Sequence, residues 1–371
     1  MHLIIMLISK QYAQYIKICQ WRIHFMGSKK KGTIKLIAER TNVSPITVSI
    51  VLNGRGDEMR ISKETQEKII EEAKKLGYQP NVFARRLKKS NQNSSPLLIG
   101  ILWPATYLSD LLVRFFNGLQ NCILNKKMNI EIVFKPYYPS NLVQLKELFV
   151  ENLFNGVIVV GTTDSDIEFL ENLNTVMPIV MFNRQSSKYS CIYVDEYSLG
   201  EKVAKLFAAR GHKSVGLIGP SYLNRNFSMR RIGFLDSCRK LNLSISDNHI
   251  ITDDEVDIKA GRNCMKKLLS SGNLPTAIFI LSSTMAYGVY SVLQENGYSI
   301  PNDVEIVGCS DLLTCELLNP RLTVIDYSIE KMVYKSLNLI TEMVTGIHRE
   351  PVCLIEDSYF IFRESCGNFP E

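Results

Sequence analysis

Thr33-Ile34-Lys35-Leu36-Ile37-Ala38-Glu39-Arg40-Thr41-Asn42-Val43-Ser44-Pro45-Ile46-Thr47-Val48-Ser49-Ile50-Val51-Leu52-Asn53-Gly54 reads as two short helices joined by a tight turn. Thr33 can N-cap the first, and Ile34, Ile37 and Ala38 form its buried i, i+3, i+4 set. Asn42 suits a left-handed turn residue, and Val43 plugs the angle between the helices. Ser44 caps the second helix, with Pro45 in its first turn, where a missing N–H costs nothing. Val48, Val51 and Leu52 then face inward, which turns Pro45, Ile46, Thr47, Ser49, Ile50 and Asn53 outward, and Asn53-Gly54 stops the helix. Two readings fit: an ordinary helical hairpin in a core, or a helix-turn-helix offering a small mixed surface to a DNA major groove.

The surroundings bear on that choice. Residues 27–89 carry fifteen Lys/Arg against seven Asp/Glu, while the 371-residue chain as a whole has a net charge of +6. A basic head on a near-neutral body fits a nucleic-acid-binding module, although a run such as Lys29-Lys30-Lys31 is also an ordinary solvated surface. A third helix is predicted from Ser62 as N-cap, with Ile69, Ile70, Ala73 and Leu76 buried and Gly77 ending it. Pro80 then breaks the chain, and Asn81 could cap a short helix over 81–87, too short to be stable alone. Residues 91–96 are a polar linker. The nine cysteines show no Cys-x-x-Cys spacing, so neither a metal site nor a disulfide framework is expected; they read as small core hydrophobes in a reducing cytoplasm.

From residue 97 the pattern becomes about ten short apolar strands alternating with helices, which predicts parallel doubly wound sheets. Ten is more than one such sheet usually holds, so two lobes are expected. At 46% hydrophobic residues the chain has ample material for two or three cores. The apolar run at 3–8 is far shorter than a membrane span of about 20 residues, and no membrane association is expected.

The residues that decide the family are Thr33-Ile34, Ile37-Ala38, Val43-Ser44, Thr47-Val48-Ser49, Leu52-Asn53-Gly54 and Gly77-Tyr78-Gln79-Pro80-Asn81 with Ala84-Arg85 and Leu87. Gly211-His212, Arg230, Gly233-Phe234, Ile300-Pro301, Asp303-Val304, Val307-Gly308, Pro320, Leu322-Thr323 and Arg363-Glu364-Ser365 follow in the body. On these the chain resembles the LacI-type (lactose/galactose repressor) transcriptional regulators. The resemblance implies a small all-α helix-turn-helix head plus an α/β two-lobed periplasmic-binding-protein-like body with parallel sheets. The expected division is a 1–26 extension, disordered, with Met26 as natural start; a head over 27–78; hinge helix and linker over 79–96; and a body over 97–371. Its first lobe is expected near 97–191 and 326–349, its second near 192–321 and 351–366, with crossings near 191–193, 321–326 and 349–352.

By the same resemblance the protein is a cytoplasmic homodimer that binds a double-stranded, pseudo-palindromic operator, most simply as a repressor. Thr33, Ser44, Pro45, Ile46, Thr47, Ser49, Ile50, Asn53, Tyr78, Asn81, Ala84, Arg85 and Leu87 are the expected DNA-binding residues. Thr47, Ser49 and Asn53 would bond base edges or backbone, Ile46 would pack on a thymine methyl, and Leu87 would wedge into the minor groove. Ile50 departs from the Arg of many relatives, which predicts a different half-site. Ligand is expected in the interlobe cleft, a sugar or sugar derivative, at Ser109, Leu111, Asn183, Arg184, Arg230, Ser282 and Ser310. Several of these replace the acids and aromatics of sugar-binding relatives, as does Val256. With Arg230 short of a counter-charge, an anionic ligand is expected, the alternative being a binding module or a regulator with no small effector.

Enzyme chemistry has little support. The chain has no Gly-x-Gly-x-x-Gly after a strand, no Walker loop and no Gly-x-Ser-x-Gly, and no cofactor or metal is expected.

Overall fold

A computed structural model describes residues 34–52, 56–76, 96–105, 110–150, 153–221, 224–348 and 350–367. The chain divides into two compact units, Met1–Arg85 and Arg86–Glu371.

The first unit holds α1 (Ile34–Thr41), α2 (Pro45–Leu52) and α3 (Lys63–Lys75). Ile37, Ala38, Val48, Val51, Ile69 and Ala73 form its core, with Ile34, Val43, Leu52, Ile61 and Leu76 against it. Asn42 adopts the expected left-handed conformation (φ 55°). This lets the Val43 N–H bond back to the Ala38 carbonyl at 3.1 Å and turn the chain within three residues. Ser44 Oγ accepts from the Thr47 N–H at 3.0 Å, and Ser62 Oγ from the Thr65 N–H at 3.3 Å. Ile70, expected inside, is 40% exposed: next to Ile69 on a helix it lies about 100° around the axis, and only Ile69 reaches the core.

The body contains two six-stranded sheets. In the first lobe, β1 (Leu97–Pro104), β2 (Ile130–Tyr137), β3 (Gly156–Val160), β4 (Ile179–Phe182), β5 (Ser190–Val194) and β11 (Cys353–Glu356) all run parallel. In the second, β6 (Val215–Pro220), β7 (Ile250–Asp253), β8 (Ala277–Ile280), β9 (Glu305–Cys309) and β10 (Thr323–Tyr327) are parallel, and β12 (Ser358–Ile361) is antiparallel to β10. The strand orders are β11-β5-β4-β3-β1-β2 and β12-β10-β9-β8-β6-β7. The central strands are apolar and buried on both faces, as β3 shows with every residue of Gly-Val-Ile-Val-Val buried, the mark of a parallel sheet covered by helices.

The structure corrects three expectations. The described residues contain twelve strands where about ten were expected: Ser190–Val194 is a strand of its own, and residues 353–361 form two short strands, one in each sheet. The crossings consequently fall at Asp195, Ser328 and Asp357. A short strand flanked by polar residues has no periodicity to betray it; its partner strand decides. The third correction concerns cysteine: Cys191 and Cys353, register partners on β5 and β11, are joined by a disulfide with Cα atoms 4.6 Å apart. Residues 162 apart in sequence give no spacing signal.

The body's helices are α4 (Asp110–Gln120), α5 (Lys146–Val150), α6 (Asp164–Asn172), α7 (Glu196–Ala209), α8 (Arg225–Lys240), α9 (Ile258–Ser270), α10 (Ala286–Glu295), α11 (Leu313–Leu317) and α12 (Ile329–Val344). Their contacts position the cleft side chains. α7 and α8 cross at Gly200 and Gly233. A Cβ at Gly200 would lie 2.1 Å from the Arg230 carbonyl oxygen, and one at Gly233 2.1 Å from that of Tyr197. Only glycine permits such backbone approach, and it brings the start of α7 against the middle of α8. α12, entered from the second lobe, packs on β3, β4 and β5 of the first and on α4.

Candidate nucleic-acid interface and interlobe cleft

On α2, Ser44, Pro45 and Ile46 are exposed and Thr47, Ser49 and Ile50 are half-buried. Ile46 is 71% exposed, a large cost in open water for an isoleucine with nothing on it. The helix carries no acidic residue in its first turn, so its positive dipole end is uncancelled by side chains of its own. The Ser44 hydroxyl is spent on the cap, and it also meets the Thr47 hydroxyl at 2.8 Å. Thr33, Asn53, Tyr78, Asn81, Ala84, Arg85 and Leu87 lie outside the described residues, as does Ser109 in the body.

In the body, the carboxyl ends of the parallel strands are where a doubly wound sheet accepts a ligand. Arg230 comes from α8 to this end of the second lobe. Its Nε and Nη2 donate to Glu196 Oε2 at 2.9 and 2.7 Å, and Nη1 donates to the carbonyl of Leu281, just past β8. Arg230 and Glu196 are each only 5% exposed. Burial acts against the Arg230 charge, but Cys309, Glu196 and Tyr327 around it raise its pKa above the ordinary arginine value. Burial likewise pushes the neighbouring Cys309 thiol up to about 12. The expectation that Arg230 lacks a counter-charge is thus corrected: Glu196 supplies it from inside the fold, and the ground for an anionic ligand goes with it. Glu196 was overlooked because an acid in a helix's first turn reads as a dipole partner, and 34 residues separate it from Arg230.

The other expected cleft residues divide. Asn183 holds a left-handed turn (φ 54°), and its Oδ1 accepts from the Val194 N–H at 3.2 Å, tying β4 to β5. Arg184 pairs with Asp164. Ser282 is half-buried, while its neighbour Ser283 is committed to the Cys309 carbonyl at 2.8 Å. Ser310 sits at φ 77°, its N–H bonded to the Ile325 carbonyl at 2.9 Å. Leu111 packs on an apolar cluster that draws on both lobes, and Val256 on the second-lobe core. Asn183, Arg184, Glu196, Arg225, Asn226 and Met229 are among the residues that line one hollow of about 190 Å³. Beside it a wider one of about 470 Å³ is lined by Asp164, Glu171, Arg184, Tyr193 and Cys353 of the first lobe and Arg225 of the second.

Arg114 was also overlooked. From α4 in the first lobe it donates to Asp326 Oδ1 at 2.8 Å, to the Tyr327 carbonyl at 3.0 Å and to Glu330 at 3.3 Å. Asp326 and Tyr327 end β10 in the second lobe, so the guanidinium spans the crossing at Ser328. Among the described residues no His/Cys/Asp/Glu group could hold a metal ion, and no helix is long and apolar enough to cross a membrane.

Residues 33–81 match the model for bacterial regulatory proteins of the lacI family, and residues 204–366 match that of a periplasmic binding protein-like domain. The crystal structure of a LacI family transcription regulator from Clostridium acetobutylicum is 33% identical, with a TM-score of 0.69 over 73% of this chain and all of that one. The chain belongs to the lacI family of bacterial regulatory proteins. This lacI-family chain is also 25% identical to the HTH-type transcriptional repressor PurR of Haemophilus influenzae, over 85% of its own length and 91% of PurR's. A LacI family transcriptional regulator from Enterococcus faecium, solved with bound ribose, shares the fold at 21% identity and a TM-score of 0.61, over 74% of this chain and all of that one. These relatives are regulators of transcription, not enzymes, and the helix-turn-helix reading prevails over the core hairpin.

Proposed function

We propose that the protein is a transcriptional repressor that binds a pseudo-palindromic operator as a homodimer and releases or tightens on it when a neutral, hydroxyl-bearing ligand enters the interlobe cleft. The observation that carries the DNA reading is α2, a capped helix presenting an uncharged face with Ile46 turned outward. Its sequence preference rests on apolar contact at Ile46 and Ile50 and on short hydroxyls, in keeping with an operator unlike those read through Arg. Two apolar faces support the dimer. Val113 and Phe116, 59% and 46% exposed, share one side of α4, and Leu313 and Leu317, 76% and 75% exposed, share one side of α11.

The ligand class follows from charge. Arg230, already neutralised by Glu196, offers no unspent positive charge to a phosphate or carboxylate, and an anion beside it would meet the Glu196 carboxylate in low dielectric. Ribose, bound by the E. faecium relative, is the kind of ligand that fits. The second reading, a regulator with no small effector, is favoured by how little of Arg230 reaches the surface.

Gel-shift titration of the full chain against DNA upstream of its own gene tests the first claim. The expected result is a specific complex whose affinity falls steeply with salt; equal binding to any duplex sinks the operator reading. Thermal-shift screening with ribose, glucose and their phosphates tests the second. Stabilisation by a phosphate alone contradicts the neutral-ligand class, and no shift by any of them favours the effector-free regulator.

A further inference from the structure

We propose that Cys353 and Cys191 are a reversible redox site, a thiol pair that hydroperoxides close into a disulfide and cellular dithiols reopen. Three observations carry it. The first is placement: the two residues are register partners on parallel strands, so the pair forms without rearrangement of the sheet. The second is contrast. Cys122, Cys238, Cys264, Cys309, Cys315 and Cys366 are all buried free thiols whose pKa values burial raises, which makes them inert. Cys353 is exposed and lines the hollow of about 470 Å³ with Arg184 and Arg225. The third is compartment: a regulator of transcription works among thiol buffers that keep cysteines reduced, where a disulfide is characteristically transient and redox-sensing.

The exposed Cys353 thiolate attacks the peroxide O–O bond, takes one oxygen as a sulfenic acid, and the other leaves as alkoxide or hydroxide, protonated by water. The buried Cys191 thiol then attacks the sulfenic sulfur; the S–S bond forms and the hydroxyl departs with the Cys191 proton as water. Two thiols lose two electrons and the peroxide gains them. A dithiol reverses the step by exchange, leaving as its own disulfide.

The consequence lies in what β11 connects. It is an edge strand of four residues paired only with β5, and through Asp357 alone it passes into β12 of the other sheet. The disulfide fastens the third interlobe crossing to the strand that leads into the first. Opened, β11 keeps the ladder and the ion pair between Lys335 and Glu356 at 2.6 Å, and the crossing loosens. Lobe arrangement, and with it operator affinity, then depends on oxidation.

The full-length reduced protein is treated with hydrogen peroxide and followed by intact mass and peptide mapping. The expected result is loss of two hydrogens, a Cys191–Cys353 linked peptide, recovery with dithiothreitol, and a melting temperature higher by about 5 °C when oxidised, of the order a long closed loop produces. With Cys191→Ala, Cys353 is trapped by dimedone as the sulfenic acid; with Cys353→Ser, neither trap nor linked peptide forms. Both thiols remaining free after peroxide, or trapping on a different cysteine, overturns the proposal without touching the DNA reading. The operator readout rests on the proposed repressor function: affinity is expected to differ at least about threefold between the two states. Equal affinity with a proven disulfide removes the regulatory role.

Discussion

Glu196 and Arg230 show how one residue changes the meaning of another. Arg230 by itself invites an anion; beside Glu196 it is half of a buried pair, satisfied by the carboxylate and the Leu281 carbonyl. Removing one partner of such a pair leaves a charge stranded out of water, which costs far more than the pair contributes. Glu196→Ala is expected to destabilise the body by about 3–5 kcal/mol, read as a lowered urea midpoint at unchanged slope. Glu196→Ala with Arg230→Met should recover part of that loss, since no charge is then left buried without a partner. If the double variant is no more stable than the single, the pair is not what holds these side chains. The sequence does not say what Arg230 faces, because a partner on another helix has no linear spacing.

At the scale of elements, the helices were legible and the short strands were not. α1, α2 and α3 follow from caps and apolar periodicity, and in the body 3.6-residue patterns mark most helices. β5 and the split between β11 and β12 depend on which strand lies alongside. The crossing of α7 and α8 is set by glycine, and Gly200→Ala must push the crossing backbones more than an ångström apart or be refused. A loss of about 3 kcal/mol is expected, checked by chemical denaturation, while Gly211→Ala at the helix end tests backbone conformation (φ 84°) instead of space. Beyond α7, Arg210 and His212 hold Glu305 on β9, with Arg210 Nε at 2.6 Å and His212 Nε2 at 2.9 Å. Burial alone would raise the Glu305 pKa, but hydrogen bonds from His212 and Arg210 outweigh it and hold it below 4.5. A depressed carboxyl stabilises the fold above its unfolded pKa and loses that contribution as pH falls through the native one. The melting temperature should therefore drop more steeply in the native protein than in Glu305→Gln as the pH falls below the ordinary glutamate value of 4.5; parallel curves would dismiss the cluster as a stabiliser.

For the whole body, the link that matters is Arg114. It joins α4 of the first lobe to the carboxyl end of β10 in the second, and Asp326, 2% exposed, depends on it for a counter-charge. Burial acts against the Arg114 charge, yet Asp326 and Glu330 raise its pKa, so the link persists across the whole working pH range. Arg114→Met is expected to cost about 3 kcal/mol and to increase hydrogen exchange at 324–330 in both free and ligand-bound protein. Unchanged exchange there would mean the lobes are held by packing alone.

What the chain determines by itself is local: the caps, turns and apolar periods that make the head, and the βα alternation that demands two parallel sheets. Those features arise from interactions within a few residues, and the family comes with them. Tertiary structure decided the rest: the counter-charge of Arg230, the Arg114 link, the three crossings and the Cys191–Cys353 bond. The paired residues stand between 34 and 216 positions apart, brought together by helix crossings and strand order. The Thr33 to Gly54 stretch holds its own turn and the Ser44 cap but needs Ile69 and Ala73 of α3 to close the head's core, while the cleft needs the whole fold before its chemistry exists.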